Sequence, residues 1–285
     1  MHRFLLTSLF VYLGAMLTTA AEVWAPGVSR SGGWYDYHKT RSNDGAMADT
    51  AMCWAASASN VISWWQNHNK ASITSSVPQN GAIFDTFRTI FTNGGGKAAY
   101  AYEWWVTGDW NAPEGSGWAS IDKAAAQENP HLANGGFLRN VYDTLLNPIS
   151  IISSSNNPYT YSEAVVKALQ SGYALTLSTE NSGVAHAYTL WGAEYKITNN
   201  GYELTSVWLT NSDDIDNEPA MFNQAVVCEY SAGKNQGTVH FDGNMGVTMT
   251  AVAGLRTALL SIPEPASATL TILALVGLAG KRRRH

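Results

Sequence analysis

Charge is scarce in this chain: Asp, Glu, Lys and Arg make up only 14% of its 285 residues, and the net charge is -5. No block of basic residues lies inside the body, so the Lys/Arg stripe that an electrostatic nucleic-acid binder needs to displace counterions is missing. Nucleic acid is therefore not expected as a partner. A 45% hydrophobic content with so little charge also excludes a disordered tail and a coiled coil. No internal repeat is found, and there are only two cysteines, Cys53 and Cys228. What is abundant is aromatic: 11 Trp and 13 Tyr among many Ser, Asn and Gly, a composition common in exported bacterial proteins.

Both ends read as addresses. Residues 1–21 begin with His2 and Arg3, run apolar from Phe4 to Leu17, and finish in the small residues Thr18, Thr19, Ala20 and Ala21, the pattern of a cleaved secretion signal. Residues 261–285 carry Pro263-Glu264-Pro265, the uncharged run Ala266 to Gly280 and the cluster Lys281-Arg282-Arg283-Arg284. The run is shorter than the ~20 residues usual for a membrane span, yet the basic cluster would hold the end in the cytoplasm. This tail resembles the PEP-CTERM sorting signal of Gram-negative bacteria. The resemblance implies a transient membrane tether, recognition by the PEP-CTERM processing machinery, and a final place at the cell surface or outside. Residues 22–260 remain as one domain.

Within that domain the pattern predicts helices first and antiparallel strands afterwards, the α+β layout. A helix is expected from Asp49 to Asn67, with Asp49 or Thr50 as cap and Trp54, Ala58, Val61 and Trp65 at helical spacing. Further helices are expected at 82–91 and 161–170, with a Gly94–Gly96 loop and an aromatic patch at 100–110 between them. Strands are expected at 173–178, 185–195, 202–210, 225–230 and 246–253.

The two cysteines admit a single structural disulfide. Against that stands the placement of Cys53 in the first turn of a helix, where unpaired N–H groups and the helix dipole favour a thiolate. Cys228, in the apolar run Ala225-Val226-Val227-Cys228, reads as an ordinary buried residue. A thiolate nucleophile needs an imidazole, and the imidazole needs a third group to fix its tautomer. His186 is the best placed of the seven histidines, in the strand Ala185-His186-Ala187-Tyr188-Thr189-Leu190-Trp191.

Hairpin geometry supplies the third group. The turn signal Asn199-Asn200-Gly201 sets a register in which His186 lies opposite Asp213 and diagonal to Asn211, about 5 and 7 Å away. Both residues share parity, so either can orient the ring. The acidic stretch Asn211 to Asp216 does not match an EF-hand loop. Neither a metal nor a cofactor is indicated.

Several stretches together resemble the IdeS/Mac family of immunoglobulin-degrading, papain-related cysteine endopeptidases. They are Gly33-Trp34-Tyr35-Asp36-Tyr37-His38-Lys39-Thr40, Cys53-Trp54-Ala55-Ala56 with Trp64-Trp65, Asn134-Gly135-Gly136-Phe137, His186 through Trp191-Gly192-Ala193, and Thr210-Asn211-Ser212-Asp213. His186 also follows Cys53 within the ~130 to 150 residue separation of papain-like enzymes. The resemblance implies a papain-like fold, a helix carrying Cys53 packed on a sheet carrying His186. It further implies Cys53 as nucleophile, His186 as general base and then acid, and Lys39 as an oxyanion-site cation beside the Cys53 N–H. Two departures stand out: Asn211 replaces the aspartate of well-known members, and the loop from Thr40 to Thr50 is longer.

The reading that follows is an exported cysteine endopeptidase acting on a protein substrate, immunoglobulin-like or otherwise, through a thioester. Two alternatives stay open: acyl transfer or amidase chemistry on the same residues, and a non-catalytic surface binder using Trp104, Trp105 and Trp110, although core packing is the preferred reading of those tryptophans.

Overall fold

The structure, a computed structural model, describes residues 20–40, 48–141, 149–152, 157–213, 220–231 and 236–257. The expected signal segment, apart from its last two residues, and the C-terminal tail lie outside these residues. No helix among the described residues is long and apolar enough to cross a membrane.

The chain opens with β1 (Ala21–Trp24), continues through α1 (Cys53–His68), α2 (Gly81–Ile90), α3 (Ala98–Thr107) and α4 (Lys123–Glu128), and then reaches β2 (Ile149–Ile152) and α5 (Pro158–Gln170). Six strands follow among the described residues: β3 (Tyr173–Asn181), β4 (Val184–Thr198), β5 (Gly201–Asn211), β6 (Phe222–Ser231), β7 (Gln236–Phe241) and β8 (Asn244–Arg256). This is the α+β architecture expected. Each of the six pairs antiparallel with its neighbour in sequence, and β8 returns to pair with β3, so the meander closes into a ring. β1 extends the sheet along β4, and β2 along β8.

α1 is not amphipathic. Every residue from Trp54 to Gln66 is buried, because α1 is packed against β3, β4 and β8 on one side and α2 and α3 on the other. A helix with no solvent face must satisfy its polar side chains internally. Ser57 and Ser59 do so by donating to the Cys53 and Ala55 carbonyls (2.9 and 2.7 Å). Asn60 reaches outward: its Nδ2 donates to Thr189 Oγ1 on β4 (2.9 Å) and its Oδ1 accepts the Tyr37 N–H (2.9 Å). The three large indoles of α1 likewise end on carbonyls: Gly94 for Trp54, Pro26 for Trp64 and Arg256 for Trp65, each at 2.9 Å.

Two sequence expectations are corrected. The N-cap of α1 is Met52, with no side-chain cap; the Asp49 carboxylate is drawn instead to Arg88 and Thr40. The aromatic stretch at 100–110 is mostly helix α3, ended by Gly108 at φ 88°. Trp104 and Trp105 are fully buried, packed among Phe87, Phe91 and Phe137. These two indoles are core, which removes them from any surface binding patch. The strands β1, β2 and β7 were not foreseen.

Asn60→Ala would leave the Thr189 hydroxyl and the Tyr37 N–H without their buried partner. An expected loss of about 2–4 kcal/mol of unfolding free energy follows, to be read by urea denaturation; a change below about 0.5 kcal/mol would show that the seam between α1 and β4 does not depend on this side chain.

Candidate active site

Cys53 is the first residue of α1, and the turn before it is held from several directions. The Met52 N–H donates to the Asp49 carbonyl (2.9 Å) and the Ala51 N–H to Asn93 Oδ1 (2.8 Å). Behind the thiol, the Gly94–Gly96 segment crosses the ring of the next residue, Trp54. A Cβ on Gly96 would stand 2.6 Å from that ring, so the glycine run is a close backbone approach as well as a loop.

His186 comes from β4. The hairpin register pairs Tyr188 with Asn211 and Thr189 with Thr210, which is the register read from the turn. It persists because two irregularities, between Leu190 and Gly192 and between Glu194 and Tyr195, cancel. The His186 Nε2–H donates to Asn211 Oδ1 (2.8 Å). That oxygen also accepts the Asp213 N–H (3.2 Å), a donor that fixes which way the amide faces. Tyr188 stands edge-on against the imidazole, with centroids 4.6 Å apart. With Nε2 engaged by Asn211, Nδ1 is left for the thiol, and His186 and the Ala187 N–H both act on Cys53 to favour its thiolate.

Asp213 sits between two cations. Its Oδ1 is 2.6 Å from Lys39 Nζ, and its Oδ2 is 3.7 Å from His186 Nδ1. The Lys39 side chain is only 4% exposed; its Nζ also donates to the Thr50 carbonyl (2.7 Å), and its backbone N–H to the Ser212 carbonyl (2.9 Å). Lys39, Cys53, His186 and Asp213 thus line one cleft of about 1330 Å3 together with Gly95, Gly96 and Trp118. All five residues singled out in the sequence converge.

The electrostatics favour the charged pair. Burial raises the Cys53 pKa, but the hydrogen bond and charge of His186, the Lys39 cation and the Ala187 N–H outweigh it and hold the thiol below its ordinary value. Burial likewise works against the imidazolium, yet Cys53, Asn211 and Asp213 together raise the His186 pKa above its ordinary value. Cys228 behaves in the opposite way. It is a free thiol, as is Cys53, lying against Ser162 Oγ (3.5 Å) and the Leu204 carbonyl (3.7 Å), and burial pushes its pKa up. The structure thus contains no Cys53–Cys228 disulfide.

Sequence reading missed the Thr50 carbonyl, the Ala187 N–H and Asn93. The first two are backbone groups without any residue signature, and Asn93 is a lone polar residue in a Gly-rich loop.

A helix-start thiol beside a strand-borne imidazole and amide defines a cysteine–histidine site on an α+β scaffold. Comparison with known proteins then places the chain: the family model described as Mac 1 matches residues 19–94 and 79–256, and the protein belongs to that family. It is also 27% identical over 213 residues to a protein of Streptococcus suis (strain P1/7) named IgM protease. That alignment covers 64% of this chain and 18% of the relative, so the chain matches only a small part of the relative's length.

The paired shifts give a pH prediction. Removing the imidazole takes away the largest influence that lowers the Cys53 pKa, leaving Lys39 and the Ala187 N–H, so the acid limb of iodoacetamide alkylation moves to higher pH in His186→Ala. Labelling of Cys53 at pH 6 is expected to fall about ten-fold for each unit of that move. In Asn211→Ala the imidazolium loses an acceptor and the His186 pKa drops, so the thiolate keeps less of its counter-charge and the acid limb again moves to higher pH, by less than in His186→Ala. Profiles superimposable on wild type, read by peptide mapping, would contradict the ion pair.

Proposed function

We propose that this protein is an exported cysteine endopeptidase with a papain-like arrangement. The observation that carries the reading is the line from the Cys53 thiol through the His186 ring to the Asn211 amide, with the Lys39 ammonium beside it. The Cys53 thiolate attacks the scissile carbonyl carbon. The oxyanion that forms is met by the Cys53 N–H and by Lys39, whose third N–H is left over from Asp213 and Thr50. Such stabilisation is worth about 3–4 kcal/mol. Imidazolium then protonates the leaving amine at Nδ1, the C–N bond breaks, and a thioester remains. Water, deprotonated by the now neutral His186, attacks that thioester and releases the acid and the thiol.

Asn211 orients the ring without competing for its proton, and Asp213 balances the charge of Lys39. The family and the relative named IgM protease support a protein substrate of the immunoglobulin class. Residues 1–21 act as the secretion signal, residues 22–260 as the peptidase domain, and residues 261–285 as a PEP-CTERM tail that tethers the chain to the inner membrane until processing.

The test is digestion of IgM, IgG and IgA by the purified protein, with fragments read by mass spectrometry. Discrete cleavage is expected, and Cys53→Ala should reduce it by a factor on the order of 10^3 or more. Cleavage that survives Cys53→Ala sinks the reading. Cleavage confined to non-immunoglobulin proteins in a secretome digest would correct the substrate and leave the chemistry standing.

A further inference from the structure

The residue expected to cap α1, Asp49, is completely buried and does something else. Its carboxylate accepts the Thr40 N–H (2.8 Å) and the Thr40 hydroxyl (3.0 Å to each oxygen), and it is ion-paired with Arg88, whose Nε lies 3.3 Å away. Arg88, itself only 8% exposed, comes from α2 and is steadied by Asp85 (3.4 Å) and by the ring of Phe84. One anion therefore joins three pieces of chain: the segment ending in Lys39-Thr40, the turn leading into Cys53, and α2.

The consequences run both ways from that carboxylate. On one side, Thr40 is the residue after Lys39, so clamping its N–H and hydroxyl fixes the backbone from which the lysine side chain starts. On the other, the Asp49 carbonyl accepts the Met52 N–H, and the next carbonyl, Thr50, accepts Lys39 Nζ. Both ends of the lysine are thus referred to the same short stretch, 49–52, that delivers the Cys53 N–H. A buried ion pair is seldom a net source of stability, since the desolvation of two charges offsets their attraction. It does impose geometry, because every alternative arrangement leaves a buried charge alone.

We propose that Asp49, held by Arg88, is a positioning residue that sets the separation between the Lys39 ammonium and the first turn of α1, and so the shape of the oxyanion site. This rests on the proposed roles of Cys53 and Lys39. Asp49 acts through Lys39 and touches no reacting atom. A displacement of ~1 Å at such a site costs on the order of 100-fold in rate.

Two small-molecule reactions separate this role from a merely structural one. Alkylation by iodoacetamide needs the thiolate but develops no oxyanion, whereas acylation by p-nitrophenyl acetate needs both. In Asp49→Asn, acylation is expected to fall about ten-fold or more while alkylation stays within about two-fold of wild type. In a Lys39→Met background, adding Asp49→Asn should change acylation by less than about two-fold, because the two act as a unit. Parallel losses in both reactions, or full multiplicative losses in the double variant, would overturn the role of Asp49 alone. Nitrophenol release at the wild-type rate in Cys53→Ala would overturn the proposed function and this inference with it. Should Asp49→Asn fail to fold by circular dichroism, Thr40→Val opens the same clamp at its other end without unpairing Asp49 from Arg88. It carries the same expectation, and unchanged acylation in a folded Thr40→Val would count against the clamp.

Discussion

The hydrogen bond from Asn60 on α1 to Thr189 on β4 is the contact on which the site's geometry turns. Cys53 and His186 belong to different elements, so their separation is only as well defined as the seam between helix and strand. Asn60 lies about 10 Å along the helix from Cys53, and Thr189 about 10 Å along the strand from His186. The pin and the reacting pair are thus the two ends of one rigid interface. Thr189 also donates to the Ser57 carbonyl (3.3 Å), and Asn60 accepts the N–H of Tyr37, so the segment leading to Lys39 is tied to the same point. The next strand joins through Thr210, which pairs with Thr189 in register, accepts the Trp191 indole N–H (3.1 Å) and donates to the Tyr35 carbonyl (3.1 Å).

Charge at the site is sustained by mutual support rather than by solvent. Burial opposes both the thiolate and the imidazolium, and each is favoured mainly by the other. The neutral Asn211 serves this balance, since a carboxylate there would add a further buried anion beside the thiolate. The acidic group is set one step away, at Asp213, where Lys39 offsets it. The cleft therefore brings together two pairs able to carry opposite charges, the thiol with the imidazole and the Asp213 carboxylate with the Lys39 ammonium, so charging either pair adds no net charge.

The hairpin was legible because its information is local. Asn199-Asn200-Gly201 fixes the turn, the turn fixes the register, and the register brings Asn211 to His186. Even so, a bulge that shifted the register by one residue would have sent His186 to the opposite face; two irregularities restore it. The helix cap failed for a reason that no local reading contains, namely that Arg88, on a separate helix, takes the Asp49 carboxylate. Core packing is the preferred reading of Trp104 and Trp105 from sequence and they are core, but aromatic runs occur on surfaces as well, and only the packing of α3 against α1 distinguishes the two. Ring closure between β3 and β8 is likewise a long-range pairing with no motif of its own.

The structure divides the site into parts held in different ways. Cys53 and His186 sit on regular elements whose backbone bonds and packing determine them. Lys39 sits on an irregular segment, where side-chain bonds must do what a helix or sheet does elsewhere. Thr40 and Asp49 bond to each other, which ties the backbone that carries the lysine to the stretch leading into Cys53. The distance from Lys39 to the Cys53 turn thus depends on one carboxylate and the arginine paired with it.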